Sequence, residues 1–287
     1  MPSPAEHVAQ ILSTAQIRHT TYEGGQLYWQ HWSAIGASDA PPLILFHGGF
    51  GSWNHWIANV EDLRKKRDVW TFDLPGLGQS GDMPEPHSIA HFSEIVLSGI
   101  DQLLGEKTRF AITAFSFGAM IAGQVAADVG DRCTRCTLIG AAGFGDLHVQ
   151  VALLPPPTQE TRANEAEAIQ RENLRRLMLH SSEYIDDLAV YLHSDNLARF
   201  RFRSRKLAKT NELAELLPEI KAPLVGLWGE HDATAGGVEK ISARRSLFEN
   251  AQPRCEFHVV PDAGHWLMYE RPKEVSEILL SDLPLTA

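Results

Sequence analysis

Phe110-Ala111-Ile112-Thr113-Ala114-Phe115-Ser116-Phe117-Gly118-Ala119-Met120 is the stretch that decides how this chain is read. A strand-like apolar run ends at Ser116, and a helix-like segment starts directly after it. A serine at such a turn fits the pattern G-x-S-x-G, in which small flanking residues let strand and helix approach while the hydroxyl stands clear of the backbone. Ala114 replaces the first glycine, a difference of one methyl group. Taken alone, the serine could equally cap the helix. Its company decides: Leu43-Ile44-Leu45-Phe46-His47-Gly48-Gly49-Phe50-Gly51 upstream, and Trp228-Gly229-Glu230-His231-Asp232 and Asp262-Ala263-Gly264-His265-Trp266 downstream.

Outward from these motifs, short apolar runs at 43–46, 68–72, 109–115, 136–140, 223–228 and 255–260 are separated mostly by helical patterns such as Ile89 to Leu104 and Phe117 to Val129. Runs that are apolar throughout are buried on both faces, so the alternation predicts a mostly parallel, doubly wound α/β sheet. A site is expected at the carboxyl ends of its strands, and each motif lies just after such a run. Residues 17 to 32 read as a hairpin through Gly24-Gly25. From about Phe144 to Pro218 strand runs are lacking, and so long a stretch reads as a helical insertion rather than a loop. The expected division is a core of 1–143 and 219–287, with 144–218 inserted.

The order strand-His-Gly-Gly, Ser, Asp, His resembles the α/β-hydrolase superfamily over nearly the whole chain. Phe72-Asp73-Leu74-Pro75-Gly76-Leu77-Gly78-Gln79-Ser80 adds a turn similar to the D-x-P-G-x-G-x-S of many members. The resemblance makes the insertion a helical cap. The capped layout and the His-Gly-Gly turn look like the carboxylesterase and C–C bond hydrolase groups, the latter including enzymes that cleave ring-fission diketones. Serine at 116 sets aside the aspartate-nucleophile dehalogenases and epoxide hydrolases. The glycines of 76–81 also satisfy G-x-G-x-x-G, a weak signal in a turn that begins with Pro75.

A serine hydroxyl attacks well only when a neighbouring base takes its proton, and a histidine base must be oriented through its other ring nitrogen. Ser116 is therefore expected as nucleophile, His265 as base and then acid, and Asp232 as the carboxylate that holds the imidazole. The developing oxyanion needs fixed donors; these are expected from the Phe117 amide and from Gly49 or Phe50. His47 and Asp73 are expected to build turns rather than react. Phe50, Trp53 and Trp266 should line an apolar pocket. The basic stretch Asn196 to Lys206 should aim one arginine, Arg201, at a substrate carboxylate.

A formal charge of −10 and a pI near 5.7 argue against nucleic acid and anionic membrane as partners, since both need basic surfaces. A small-molecule substrate is the expected partner, with a homodimer left open. The N-terminus lacks a leader pattern and no run reaches membrane-spanning length, which reads as cytoplasmic. Three cysteines make no disulfide framework. Cys133 and Cys136 form a C-x-x-C whose thiols would point to opposite faces of a strand. No metal or cofactor constellation emerges. The expected activity is cofactor-independent hydrolysis of an ester or similar carbonyl compound through an acyl-enzyme. The alternatives are a C–C bond hydrolase and, in another class, a non-catalytic receptor on the same fold.

Overall fold

The apolar runs become strands because both of their faces are covered. The computed structural model describes residues 2–158 and 160–281; Met1, Gln159 and residues 282–287, which fall within the expected core and insertion, lie outside it. Its strands are β1 Gln16–Tyr22, β2 Gly25–Trp32, β3 Leu43–Phe46, β4 Val69–Phe72, β5 Phe110–Phe115, β6 Cys133–Ile139, β7 Leu224–Gly229 and β8 Glu256–Val260. They form one sheet in the order β1-β2-β4-β3-β5-β6-β7-β8, parallel from β4 onward. The predicted hairpin is β1 and β2, which joins the sheet by antiparallel pairing with β4.

Alternation along each strand divides the core in two. Ile44, Phe46, Ile112 and Ala114 face helices Ile89–Leu104 and Phe117–Val129, meeting Phe92, Val96, Ile121 and Val125. Leu43, Leu45, Ala111 and Phe115 face the opposite layer of Trp56, Val60, Leu267 and Val275. Each fully buried Val, Leu, Ile or Phe side chain among these contributes about 1.5–3 kcal/mol relative to exposure.

Between β6 and β7 the described residues hold no strand; the longest elements there are helices Ala163–Leu177 and Asp187–Ala198. The second is pinned to the core by buried Asn196, which accepts a hydrogen bond from Ser52 Oγ at 2.8 Å and exchanges amide bonds with Asn54 at 3.0 and 2.9 Å. One expectation fails locally. Cys133 and Cys136 lie in the same apolar layer, because the pairing of β5 with β6 slips between Phe110 and Ile112. A bulge adds one residue and so reverses the in-out parity across it.

The turn between β5 and the following helix is the tightest part of the fold. Ser116 has φ 52° and ψ −117°, a left-handed conformation that only a few per cent of non-glycine residues adopt. The helix then passes so close to β3 that a Cβ on Gly118 would sit 2.2 Å from the His47 carbonyl oxygen. Because that neighbour is backbone, Gly118→Ala should cost about 1–3 kcal/mol through overpacking, read as a lower urea midpoint. An unchanged midpoint would show that the turn has room to relax.

Candidate active site

Three strand ends bring Ser116, Asp232 and His265 together from positions far apart in the chain. Ser116 Oγ donates to His265 Nε2 at 3.0 Å, and His265 Nδ1 donates to Asp232 Oδ2 at 2.8 Å. The His265 and Asp232 side chains are 4% and 0% exposed, so the contact works in a medium where water screens little. Thr234 completes the carboxylate: its amide and its hydroxyl each donate to Asp232 Oδ1 at 2.8 Å. Burial pushes the Asp232 carboxyl up, but the His265 imidazole and the Thr234 bonds outweigh it and hold the group below its ordinary value. Asp232 is therefore ionised at neutral pH and acts as a fixed acceptor for the imidazole N–H.

The turn after β3 faces Ser116 from the other side. Phe50 has φ 54°, and the amides of Gly49, Phe50 and Phe117 have no acceptor among the described residues. Phe117 is buried and Gly49 and Phe50 are partly exposed, and all three residues line the same cavity as Ser116. His47 and His55 brace this turn. The Leu74 amide donates to His47 Nε2 at 2.8 Å, which leaves the proton on Nδ1 to reach the Gly48 carbonyl at 2.7 Å, while the Gly48 amide donates to His55 Nδ1 at 3.2 Å. Burial pushes His47 down to about 4 and His55 well below its ordinary range, so both rings are neutral struts. Asp73 plays a similar part, accepting from the amides of Trp53 and Gln79 at 2.8 Å each.

A cavity of about 110 Å³ opens onto Ser116 and His265. Phe50, Phe115 and Phe117 form its core side, and Leu177, Met178, Ser204 and Arg205 reach it from the inserted segment. Three residues expected here lie elsewhere. Trp53 and Trp266 are buried beneath the site, Trp53 against Trp32 with ring centroids 5.6 Å apart, and Trp266 with its indole N–H donated to the His55 carbonyl at 2.9 Å. Arg201 donates to Asp82 at 2.7 Å and to the carbonyls of Gly78 and Ser80, so its guanidinium clamps the inserted segment to the 76–82 turn. Residues 199–203 are not helical. Their alternation buries Phe202 and half-buries Phe200, leaving Arg199, Arg201 and Arg203 exposed. The cationic side chains that do reach the cavity are Lys209 and Arg205, the latter with its guanidinium 5.8 Å from the Phe50 ring centroid.

A description of the alpha/beta hydrolase fold matches residues 41–272 of this sequence. The chain belongs to that family. It is an enzyme, a hydrolase built on a mostly parallel eight-stranded sheet. The hydrolase is 25% identical to a 2-hydroxy-6-oxononadienedioate/2-hydroxy-6-oxononatrienedioate hydrolase of Paraburkholderia phymatum over 280 residues, 91% of this chain and 93% of that one. It is 24% identical to carboxylesterase YbfK of Bacillus subtilis, over 88% of this chain and 83% of that one. In fold it is similar to the naproxen esterase of Bacillus subtilis, with a TM-score of 0.72 and 18% identity over 97% and 96% of the two chains. The described residues of the hydrolase hold no helix long and apolar enough to cross a membrane.

Sequence reasoning missed Glu270. Its buried carboxylate accepts the Gly264 amide at 2.6 Å on one oxygen, and the His180 and Ser181 amides at 2.8 and 2.9 Å on the other. It thereby ties the His265 loop to the inserted segment. The only signal for it in the sequence was an acidic residue in an otherwise apolar helix start, Leu267-Met268-Tyr269-Glu270. Glu270→Gln keeps the shape but turns an NH₂ group toward at least one N–H donor, so unfolding free energy should fall by about 1–3 kcal/mol. Chemical denaturation of the two proteins measures this, and equal stabilities would mean that the three bonds contribute nothing net.

Proposed function

We propose that this hydrolase cleaves an ester or similar carbonyl compound through an acyl-enzyme on Ser116. The reading rests chiefly on one observation, the chain of contacts from Ser116 Oγ through both nitrogens of His265 to an ionised Asp232. His265 Nε2 takes the proton as Oγ attacks the carbonyl carbon, and Asp232 stabilises the imidazolium that forms. The carbonyl oxygen gathers charge beside the amide of Phe117 and that of Gly49 or Phe50; one such donor contributes roughly 3–4 kcal/mol in comparable sites. His265 then protonates the leaving alcohol, and afterwards activates the water that releases the acid. No metal or cofactor is called on. The small cavity favours short acyl groups, and the inserted helices act as a cap that keeps bulk water from the acyl-enzyme.

A fluorophosphonate should label Ser116 alone, since a serine beside a base and oxyanion donors reacts far faster than others. Labelling and turnover of a short-chain aryl ester should vanish in Ser116→Ala. Asp232→Asn should keep the fold and lower kcat by orders of magnitude, because the imidazole loses its orienting acceptor. Label on another serine, or a loss below about tenfold in Asp232→Asn, would displace this assignment.

A second reading, cleavage of a C–C bond in a carboxylate-bearing diketone, is favoured by Arg205 and Lys209 in the cavity lining together with the dioate hydrolase relative. Arg205 has no carboxylate partner among the described residues, and Lys209 Nζ donates to Gln150 at 2.7 Å. A substrate carboxylate would supply what Arg205 lacks. Arg205→Gln should then lower kcat/KM about tenfold or more for a half-ester of a dicarboxylic acid and leave a neutral ester unchanged. Equal effects on the two substrates would leave Arg205 as a wall of the cavity.

A further inference from the structure

Outside the cavity at Ser116, one cluster of side chains has the composition of a ligand site. His180, His231 and Asp262 come from three separate segments, and their ligand atoms all lie within 4.8 Å of one another. We propose that they form a binding site for a divalent transition-metal ion of the zinc class. The donors and their setting define this site independently of the acyl-enzyme reading.

Two imidazoles and one carboxylate are the donor set that zinc, nickel and copper favour over calcium and magnesium, with water completing the coordination. The three side chains are exposed, and none of their ligand atoms is tied up in a hydrogen bond among the described residues; His231 Nε2 has only Glu230 nearby, at 3.7 Å. The two rings already stack, with centroids 3.8 Å apart and planes 16° from parallel. Coordination requires each ring to turn until its nitrogen aims at one point about 2.1 Å away, a rotation open to exposed side chains.

The backbones beneath these rings are fixed to one another, which lowers the ordering that an ion must impose. The His180 and Gly264 amides share the buried Glu270 carboxylate. The His231 amide donates to the Ala263 carbonyl at 2.9 Å, the Trp266 amide to the Met178 carbonyl at 2.7 Å, and the Asp262 amide to Glu230 at 3.3 Å. The surrounding charges are mixed. Glu230 favours a cation, whereas Arg175, which lines the adjoining cavity of about 260 Å³, and Arg271, bound to the Asp262 carbonyl, oppose one.

Position gives the site its consequence. His231 directly precedes Asp232, Asp262 lies in the loop that carries His265, and His180 belongs to the inserted segment. An ion held by all three would fasten that segment to both loops from outside, without touching Ser116.

The test is zinc titration by calorimetry of the full chain after chelator treatment, repeated with nickel. One saturable equivalent is expected, together with a zinc-dependent rise in Tm. His180→Ala, His231→Ala and Asp262→Asn should each weaken binding at least tenfold and abolish the rise while leaving the metal-free Tm in place. His258→Ala, at a partly exposed histidine elsewhere, should leave zinc affinity and the zinc-dependent rise unchanged. No saturable binding by the wild type, or equal affinity in the wild type and a His180→Ala, His231→Ala double variant, overturns the proposal.

Discussion

Much of this molecule is arranged around holding one residue in a backbone conformation it would not choose. Ser116 in the left-handed region costs of order 1–3 kcal/mol, and such strain persists only where neighbours over-determine it. Here they do. Its amide donates to the Ile139 carbonyl at 2.9 Å, and its own carbonyl accepts from Ala119 at 3.1 Å and Ala142 at 3.2 Å. Those partners sit on and just beyond the adjacent parallel strand and on the following helix, so the turn exists only when sheet and helix are both in place. Gly118 lets that helix come down onto the His47 carbonyl, and in return the hydroxyl is thrust out at the carboxyl end of the sheet, where loops from two other strands can reach it.

The remaining precision comes from buried charge. A carboxylate removed from water is costly unless its oxygens are occupied by donors, and the three carboxylates around the site are treated in that way. Asp232 is held by His265 and Thr234, Asp73 by the amides of Trp53 and Gln79, and Glu270 by three amides from two segments. Each converts a flexible loop into one with a single satisfied arrangement. The neutral histidines His47 and His55 do the same for the turn after β3 without bringing a charge. Stability and the geometry of the proposed active site thus draw on the same bonds, since breaking one would both orphan a buried group and loosen a residue proposed to react.

The inserted segment shows how parity decides which side chain meets a ligand. Through 199–203 the chain is extended, so every second residue faces inward, and the inward set is Phe200 and Phe202, packed on Phe50 and on Phe92 with Phe117. The arginines between them are turned to the surface by the same alternation. Helical geometry resumes at Arg205–Ala208, and the change of period from two to nearly four brings Arg205 and Ala208 to the cavity.

The sequence by itself determined the sheet, the helices around the Ser116 turn and which three residues meet there through hydrogen bonds. Those signals are local: apolar runs of strand length, helical periodicity, and glycines placed where a turn demands them. It could read Ser116, Asp232 and His265 as partners because each sits in its own short motif. What only the tertiary structure decided are the contacts that no local pattern encodes. Trp53 and Trp266 look like pocket walls by their neighbours in the chain, yet their large apolar surfaces are drawn into the layer beneath. Arg201 is expected from the sequence to aim at a substrate carboxylate, yet the fold brings Asp82, 119 positions away, against it. Glu270 gave almost no sign, because its role depends on amides brought to it by a segment 90 residues earlier. Periodicity fixes which face a side chain takes within its own element; what lies against that face depends on chain segments far away in sequence, and these meet only when the protein folds.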